Sequence, residues 1–366
     1  MKKVLVLVNH DVVIYNFRKE LVEQLLADNY KVYISSPYGE KIEPLIAMGC
    51  EYIETEIERH GTNIINDFKL ILKYRKMIKN INPDIVLSYT IKPNIYGGIA
   101  CRLTKIPYIS TITGLGGALE KESLMQKILI QLYKIALKNI STLFFQNNSN
   151  KDFFVKNKIA SEKHRLVPGS GVNLKEFPLK EYPKQKNELN LLFIGRIMKD
   201  KGIEELIEAA KILKETNSIK INFDAIGFYE NEYANRIKEL EESELIKFHG
   251  TTNNVQQFIE KSHAVILPSH HEGMANVLLE AAAMGRPILA SAIPGCQETF
   301  DEGITGYGFK SGSVKSIVKK VNSFLKLKHQ QKEKMGILGR KKVELQFDRK
   351  NIVFIYIKEI ESIINK

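Results

Sequence analysis

The chain has 366 residues, 44% hydrophobic and 26% charged, a globular balance with room for two domains and a core that needs neither disulfide nor metal staples. Cys50, Cys101 and Cys296 lie far apart with no Cys-x-x-Cys pair, which excludes a disulfide framework and argues against a zinc site, leaving reduced thiols in a cytoplasmic protein as the plain reading. The net charge of +12 is uneven, +9 over residues 1–180 and +3 over 181–366; the first half therefore suits an anionic partner (phospholipid, lipid diphosphate or nucleic acid), unless it is simply lysine-rich.

The apolar run Val4–Val8 is too short for a signal-peptide core, and no stretch reaches the ~18 apolar residues of a membrane span. From there the chain alternates short apolar runs with longer amphipathic stretches, the rhythm of βα units and a parallel sheet. The pattern predicts a strand at Val4–Val8, a helix at Asn16–Asp28 and a strand at Lys31–Ser35. It then predicts a helix at Asp67–Asn80, a strand at Ile85–Ser88, a helix at Ile95–Thr104, a strand at Tyr108–Thr111, a helix at Leu124–Lys138 and a strand at Thr142–Gln146. Residues 168–188, rich in Pro, Gly and charge, read as a linker. The rhythm restarts with strands at Leu191–Ile194, Lys220–Ile226, Ala264–Leu267 and Pro287–Ala290. Helices at Ile203–Glu215, Tyr233–Ser243 and Val277–Met284 alternate with them. The tail from Ser313 reads as helical with breaks near Gly336, Gly339 and Phe347. Two doubly wound α/β domains are expected, 1–170 and 171–345, with a helix at 346–366 packing back on the first. A cleft at their carboxyl strand ends is the default site.

Two constellations carry chemistry. In Pro268-Ser269-His270-His271-Glu272-Gly273-Met274-Ala275-Asn276, continuing to Glu280, a strand passes through a loop into a helix. Amides at such a helix start lack internal partners and favour an anion, and Gly273 permits close approach. Glu272 is placed to face a sugar and Glu280 to reach a ribose hydroxyl; the bland alternative is a turn with two solvated glutamates. In Gly195-Arg196-Ile197-Met198-Lys199-Asp200-Lys201-Gly202, two cations five residues apart follow a strand. Arg196 and Lys201 can both contact one diphosphate, whose charge grows as a glycosidic bond breaks; the alternative is surface charge at a helix start. No Asp-x-Asp metal motif is present. His270 and His271 beside Glu272 read as ordinary buried or solvated histidines, and His10, after the first strand, is a weaker candidate for contacting an acceptor.

Glu272-x7-Glu280 with Gly195-Arg196-x4-Lys201-Gly202 resembles glycosyltransferase family 4, retaining enzymes of GT-B fold with two Rossmann-like domains facing a central cleft. Pro168-Gly169-Ser170-Gly171-Val172-Asn173, Phe248-His249-Gly250, Pro294-Gly295-Cys296-Gln297-Glu298 and Gly303-x2-Gly306 resemble further loops of the family, and the likeness covers nearly the whole chain. Tyr15-Asn16-Phe17-Arg18, Ser88-Tyr89-Thr90-Ile91-Lys92-Pro93-Asn94 and Thr113-Gly114-Leu115-Gly116-Gly117 look like bacterial enzymes that build surface polysaccharides or lipid-linked oligosaccharides. The nearest of those add N-acetylhexosamine, often N-acetylgalactosamine, to an undecaprenyl-diphosphate-linked sugar.

The resemblance implies that Arg196 and Lys201 hold the donor diphosphate and Glu280 the ribose, with Phe248 beside the nucleobase. Glu272 would face the donor sugar, with amides of Gly273, Met274, Ala275 and Asn276 around sugar and phosphate. Transfer would be front-face and metal-independent, without a cofactor. Two departures stand out: Asp11-Val12-Val13-Ile14-Tyr15 occupies the place of a glycine-rich loop, and Thr113 that of a histidine. Thr113, Gly114, Gly116 and Gly117 remain candidates for the acceptor side, with His10. The basic amphipathic stretches Phe68–Lys79 and Leu124–Lys138 suit an anionic bilayer, against the plainer reading of helices packed on their own sheet. A UDP-sugar donor, a lipid-diphosphate-linked saccharide acceptor and a peripheral place on the inner face of the cell membrane are expected. The alternatives are a hexose donor with a soluble or other lipid acceptor, or a binder of anionic polymer; for the last, no RNP-like aromatic pattern or recognition helix is found, so nucleic acid is not expected.

Overall fold

The computed structural model describes residues 1–58, 63–116, 119, 122–184, 187–229 and 233–365. The chain forms two compact units, Met1–Gly171 together with Arg349–Lys366, and Val172–Asp348.

The first unit holds a seven-stranded sheet of β1 (Lys3–Leu7), β2 (Lys31–Ser36), β3 (Glu51–Glu54), β4 (Ile85–Tyr89), β5 (Tyr108–Ile112), β6 (Thr142–Phe145) and β7 (His164–Leu166). Its order is β3-β2-β1-β4-β5-β6-β7, and every ladder is parallel. Helices α1 (Asp11–Ala27), α2 (Ile42–Ala47), α3 (Ile64–Ile81), α4 (Gly98–Thr104), α5 (Leu124–Ala136) and α6 (Asn148–Lys156) fall between strands. Strand side chains alternate between faces. Val4, Val6 and Val8 enter one core with Ile14, Leu21 and Val22 of α1, while Leu5 and Leu7 enter another with Tyr74, Met77 and Ile78 of α3. The chain is apolar on both faces here because both are covered.

The second unit holds β8 (Glu188–Ile194), β9 (Lys220–Ile226), β10 (Lys247–Phe248), β11 (Ala264–Leu267), β12 (Ile288–Ser291) and β13 (Gly306–Phe309), in the order β10-β9-β8-β11-β12-β13. Its helices are α7 (Ile203–Thr216), α8 (Ala234–Glu242), α9 (Val255–Lys261), α10 (Asn276–Ala283), α11 (Val314–Leu325) and α12 (His329–Gln346). The last helix, α13 (Arg349–Ile364), belongs to the first unit, where Ile352, Tyr356 and Ile360 join the α1 core.

Several elements differ from expectation. Helix α1 starts at Asp11, five residues before the predicted Asn16: His10 takes the N-cap in an extended conformation, and its Nδ1 accepts the Val12 amide at 3.2 Å. The β-branched run Val12-Val13-Ile14 is tolerated because Ile14 is buried. The predicted helix Ile95–Thr104 begins as a π-turn over Pro93–Gly97. β3, β7, β10, β13, α2, α6 and α9 were not expected; β3 and β7 are short edge strands of mixed polar and apolar, partly exposed side chains, so their ladders rather than their patterns make them strands. Gly336 and Gly339 do not break a helix but lie within α12. A Cβ at Gly336 would stand 1.9 Å from the Gly285 carbonyl oxygen, so this glycine lets α12 close on the turn after α10, whereas a Cβ at Gly339 would meet the Ala282 Cβ at an ordinary 3.6 Å. Among the described residues no helix is long and apolar enough to cross a membrane.

Candidate active site

In the second sheet the order in which strands are added reverses between β8 and β11, all strands staying parallel, and in open parallel sheets ligands bind outside the carboxyl ends of the strands at such a switch point. The Arg196–Lys201 loop leaves β8 and the Pro268–Ala275 loop leaves β11, so the topology alone brings together two motifs far apart in sequence. Their contacts are specific. The Lys201 Nζ donates to Glu272 Oε1 at 2.5 Å, with both side chains largely covered. The Ser269 hydroxyl donates to the same oxygen at 2.8 Å. The His270 amide donates to the Asp200 carbonyl at 2.9 Å, and the His270 ring meets Glu205 at 2.9 Å. Gly202 is required here twice over: its φ is +71°, and a Cβ would stand 2.1 Å from the Pro268 carbonyl oxygen.

A third loop, after β12, locks onto these two. The Ala275 amide donates to the Gly295 carbonyl at 2.8 Å, and a Cβ at Gly295, whose φ is +85°, would stand 2.5 Å from the Glu272 carbonyl oxygen. Cys296 is fully buried beneath; burial, reinforced by Glu272, pushes its thiol well up. Helix α10 begins at Asn276 without a side-chain cap. Two of the four amides expected to face a ligand are engaged inside the protein, since Ala275 donates to Gly295 and Asn276 to the Met274 carbonyl at 3.0 Å. The Met274 and Ala275 side chains are buried in the core; in a tight loop the nearest carbonyls capture such amides. Gly273 and Glu280 are half-buried and Arg196 is exposed at the end of β8.

Phe248 ends β10, half-buried and edge-on to Tyr229 at 5.6 Å. Phe228 and Tyr229 follow β9 directly and are exposed to 53% and 41%. The sequence reading missed this aromatic shelf; its signal was two adjacent aromatics after Gly227, a residue whose φ is +148° and whose Cβ would stand 1.9 Å from the Gly195 carbonyl oxygen. A groove of about 1140 Å³ runs along the β8–β10 face past Glu188, Asn190, Asn222 and Asp224 to His249. Arg196, Lys201 and Glu272 do not line it.

In the first unit the switch point lies between β1 and β4. His10 follows β1 and its ring is engaged by the Val12 amide and by the buried Asp11 carboxylate. Asp11 in turn accepts the Lys41 amide at 2.8 Å. The loops after β4 and β5 meet, since a Cβ at Gly116, φ +70°, would stand 3.1 Å from Ile91 Cδ1. Asn94, in the π-turn, donates to the Thr111 carbonyl of β5 at 2.9 Å. Thr113 and Gly114 are half-buried in this loop. Gly117 lies outside the described residues.

Comparison with known proteins agrees with this architecture. Residues 175–342 match the family described as glycosyl transferases group 1, and residues 3–147 match the family described as glycosyl transferase 4-like. The N,N'-diacetylbacillosaminyl-diphospho-undecaprenol alpha-1,3-N-acetylgalactosaminyltransferase of Campylobacter jejuni is 27% identical over 96% of both chains. The capsular polysaccharide biosynthesis glycosyltransferase CapM of Staphylococcus aureus is also 27% identical, over 94% of this chain and 92% of its own. A solved structure of Anabaena HepE in complex with UDP and glucose superposes with a TM-score of 0.80 at 15% identity, covering 99% of this chain and 100% of the other. With two parallel α/β sheets and matches over both halves, the chain has the GT-B fold and belongs to glycosyltransferase family 4.

Proposed function

We propose that the enzyme is a retaining, metal-independent transferase that moves N-acetylhexosamine, for example N-acetylgalactosamine, from a UDP-sugar to an undecaprenyl-diphosphate-linked saccharide. The observation that carries the donor site is the Lys201–Glu272 contact of 2.5 Å at the β8–β11 switch point. It puts a cation and a carboxylate side by side, as binding a phosphate next to a sugar hydroxyl demands. In this reading Arg196 and Lys201 hold the diphosphate, Glu280 the ribose and Glu272 the sugar, while Phe228, Tyr229 and Phe248 offer faces for the base. The carbon–oxygen bond to phosphate breaks and UDP departs with the electron pair. The acceptor hydroxyl attacks from the same side, and its proton goes to the departing phosphate oxygen. His10, Thr113, Gly114 and Gly116 lie on the acceptor side of the reading.

The acceptor class and the sugar rest on the Campylobacter relative, whose name gives both for that protein; the HepE complex supports UDP. Peripheral attachment to the inner face of the membrane is supported by α3, which exposes Ile65, Phe68 and Leu72 among Lys69, Lys73 and Lys76. A screen of nucleotide sugars by thermal shift is expected to single out a UDP-linked donor. Lys201→Ala and Glu272→Ala are expected to remain folded and to lose transfer of radiolabelled sugar. Wild-type turnover by either variant would remove the assignment.

A further inference from the structure

We propose that Ser269 is a positioning residue of the donor site, holding the Glu272 carboxylate in place while Lys201 passes from that carboxylate to the donor's diphosphate. The proposal rests on the donor-site reading above. The Glu272 oxygen Oε1 accepts from both the Lys201 ammonium at 2.5 Å and the Ser269 hydroxyl at 2.8 Å, and Oε2 takes part in neither contact. The pair observed and a Lys201–phosphate contact compete for one ammonium. A diphosphate drawn to Lys201 also meets the Glu272 negative charge, so in this arrangement Glu272 opposes the binding of UDP itself.

Once the ammonium turns to phosphate, the carboxylate would lose its strongest partner. What remains is the Ser269 hydroxyl, and Ser269 has little freedom to move. It is fully buried, its own carbonyl accepts the Ser311 hydroxyl at 3.4 Å, and the Pro268 carbonyl before it is pressed against Gly202. Held at Oε1, the carboxylate presents Oε2 to a sugar hydroxyl. The sugar's contact then offsets the cost of separating the pair, and the site favours UDP-sugar over UDP, which helps product leave.

Calorimetric titration of UDP and of the UDP-sugar, with initial rates, tests this in the full chain. Glu272→Gln keeps the shape and removes the charge, and it is expected to bind UDP about five-fold tighter while losing its preference for UDP-sugar over UDP. Ser269→Ala is expected to lower kcat about ten-fold and to weaken UDP-sugar binding while leaving UDP binding within about two-fold of wild type, and Ser269→Thr, which keeps the hydroxyl, to recover most of both. Unchanged or weaker UDP binding by Glu272→Gln overturns the exchange, even where the Ser269 variants do not fold. An unaltered kcat in folded Ser269→Ala overturns the positioning role. Failure of the wild-type enzyme to bind UDP strikes the donor-site reading instead.

Discussion

His263, at the foot of β11, is 5% exposed, and its Nδ1 accepts the Asn190 amide at 3.0 Å while its own amide donates to the Asn190 carbonyl at 2.8 Å. Burial, with the Lys332 charge nearby, lowers its pKa from 6.5 to about 4. A histidine whose folded pKa lies below the unfolded value binds fewer protons folded than unfolded across that window. The stability it supports is therefore complete above pH 6.5 and is lost as the pH falls through about 4, at roughly 1.4 kcal/mol per pH unit. Urea midpoints at pH 7 and pH 5 are expected to differ more for wild type than for His263→Gln; equal shifts would refute the assignment. Nothing in the Ser262-His263-Ala264 sequence announces this, because the partner amide lies 73 residues away. Lys201 and Glu272 were legible, since glycine-flanked charges after apolar strands form a pattern one can read. Ser269 was not, because a serine in a loop gains meaning from the carboxylate it holds. Nor did the sequence reveal that Ala275 and Asn276 direct their amides to nearby carbonyls.

Helix α3 is apolar on two sides. Leu70, Tyr74, Met77 and Ile78 enter the core, while Ile65, Phe68 and Leu72 are 67%, 60% and 46% exposed. A helix packed only on its own sheet would carry polar groups on the second side; here apolar residues at spacings of three and four alternate with lysines, and α5 likewise exposes Leu124, Ile128 and Ile135 beside Lys127. Sedimentation with anionic vesicles at low salt is expected for wild type and is expected to fall several-fold for Phe68→Ser with Leu72→Ser, with donor binding retained. Equal sedimentation would show that α3 is not the docking face. The amphipathic pattern was visible in the sequence, but which of its two apolar sides faces inward was not. That depends on where the π-turn at Pro93–Gly97 and α4 pack against it.

At the scale of the molecule the chain passes between units twice, at Gly171–Val172 and again at Asp348–Arg349. The return is anchored by Arg349, which is 6% exposed, pairs with Glu20 at 3.0 Å and donates to the Gly171 carbonyl at 3.0 Å. Tyr356 meets the Thr111 hydroxyl at 2.7 Å, and with Tyr89 it encloses the Arg18 guanidinium. Truncation after Asp348 would expose Ile14, Leu21 and Val22. Calorimetry of that variant is expected to show an early transition from the first unit, with UDP still raising a second, later one. A single cooperative transition at the wild-type temperature would refute this.

The order of strands and helices, the two βα series and the charged motifs at strand ends were all determined locally, by apolar periodicity and by glycine where the backbone must turn. The family entered only through the resemblance of those charged motifs to glycosyltransferase family 4, which the matches over both halves of the chain support. The tertiary structure decided what depends on partners distant in the chain. It settled which edge segments become strands and that Gly336 lets α12 close on the turn after α10. It also brought Lys201 and Ser269 onto one carboxylate oxygen of Glu272. Periodicity reports which side of an element is apolar; only packing reports what that side, or a lone polar atom, finds opposite it.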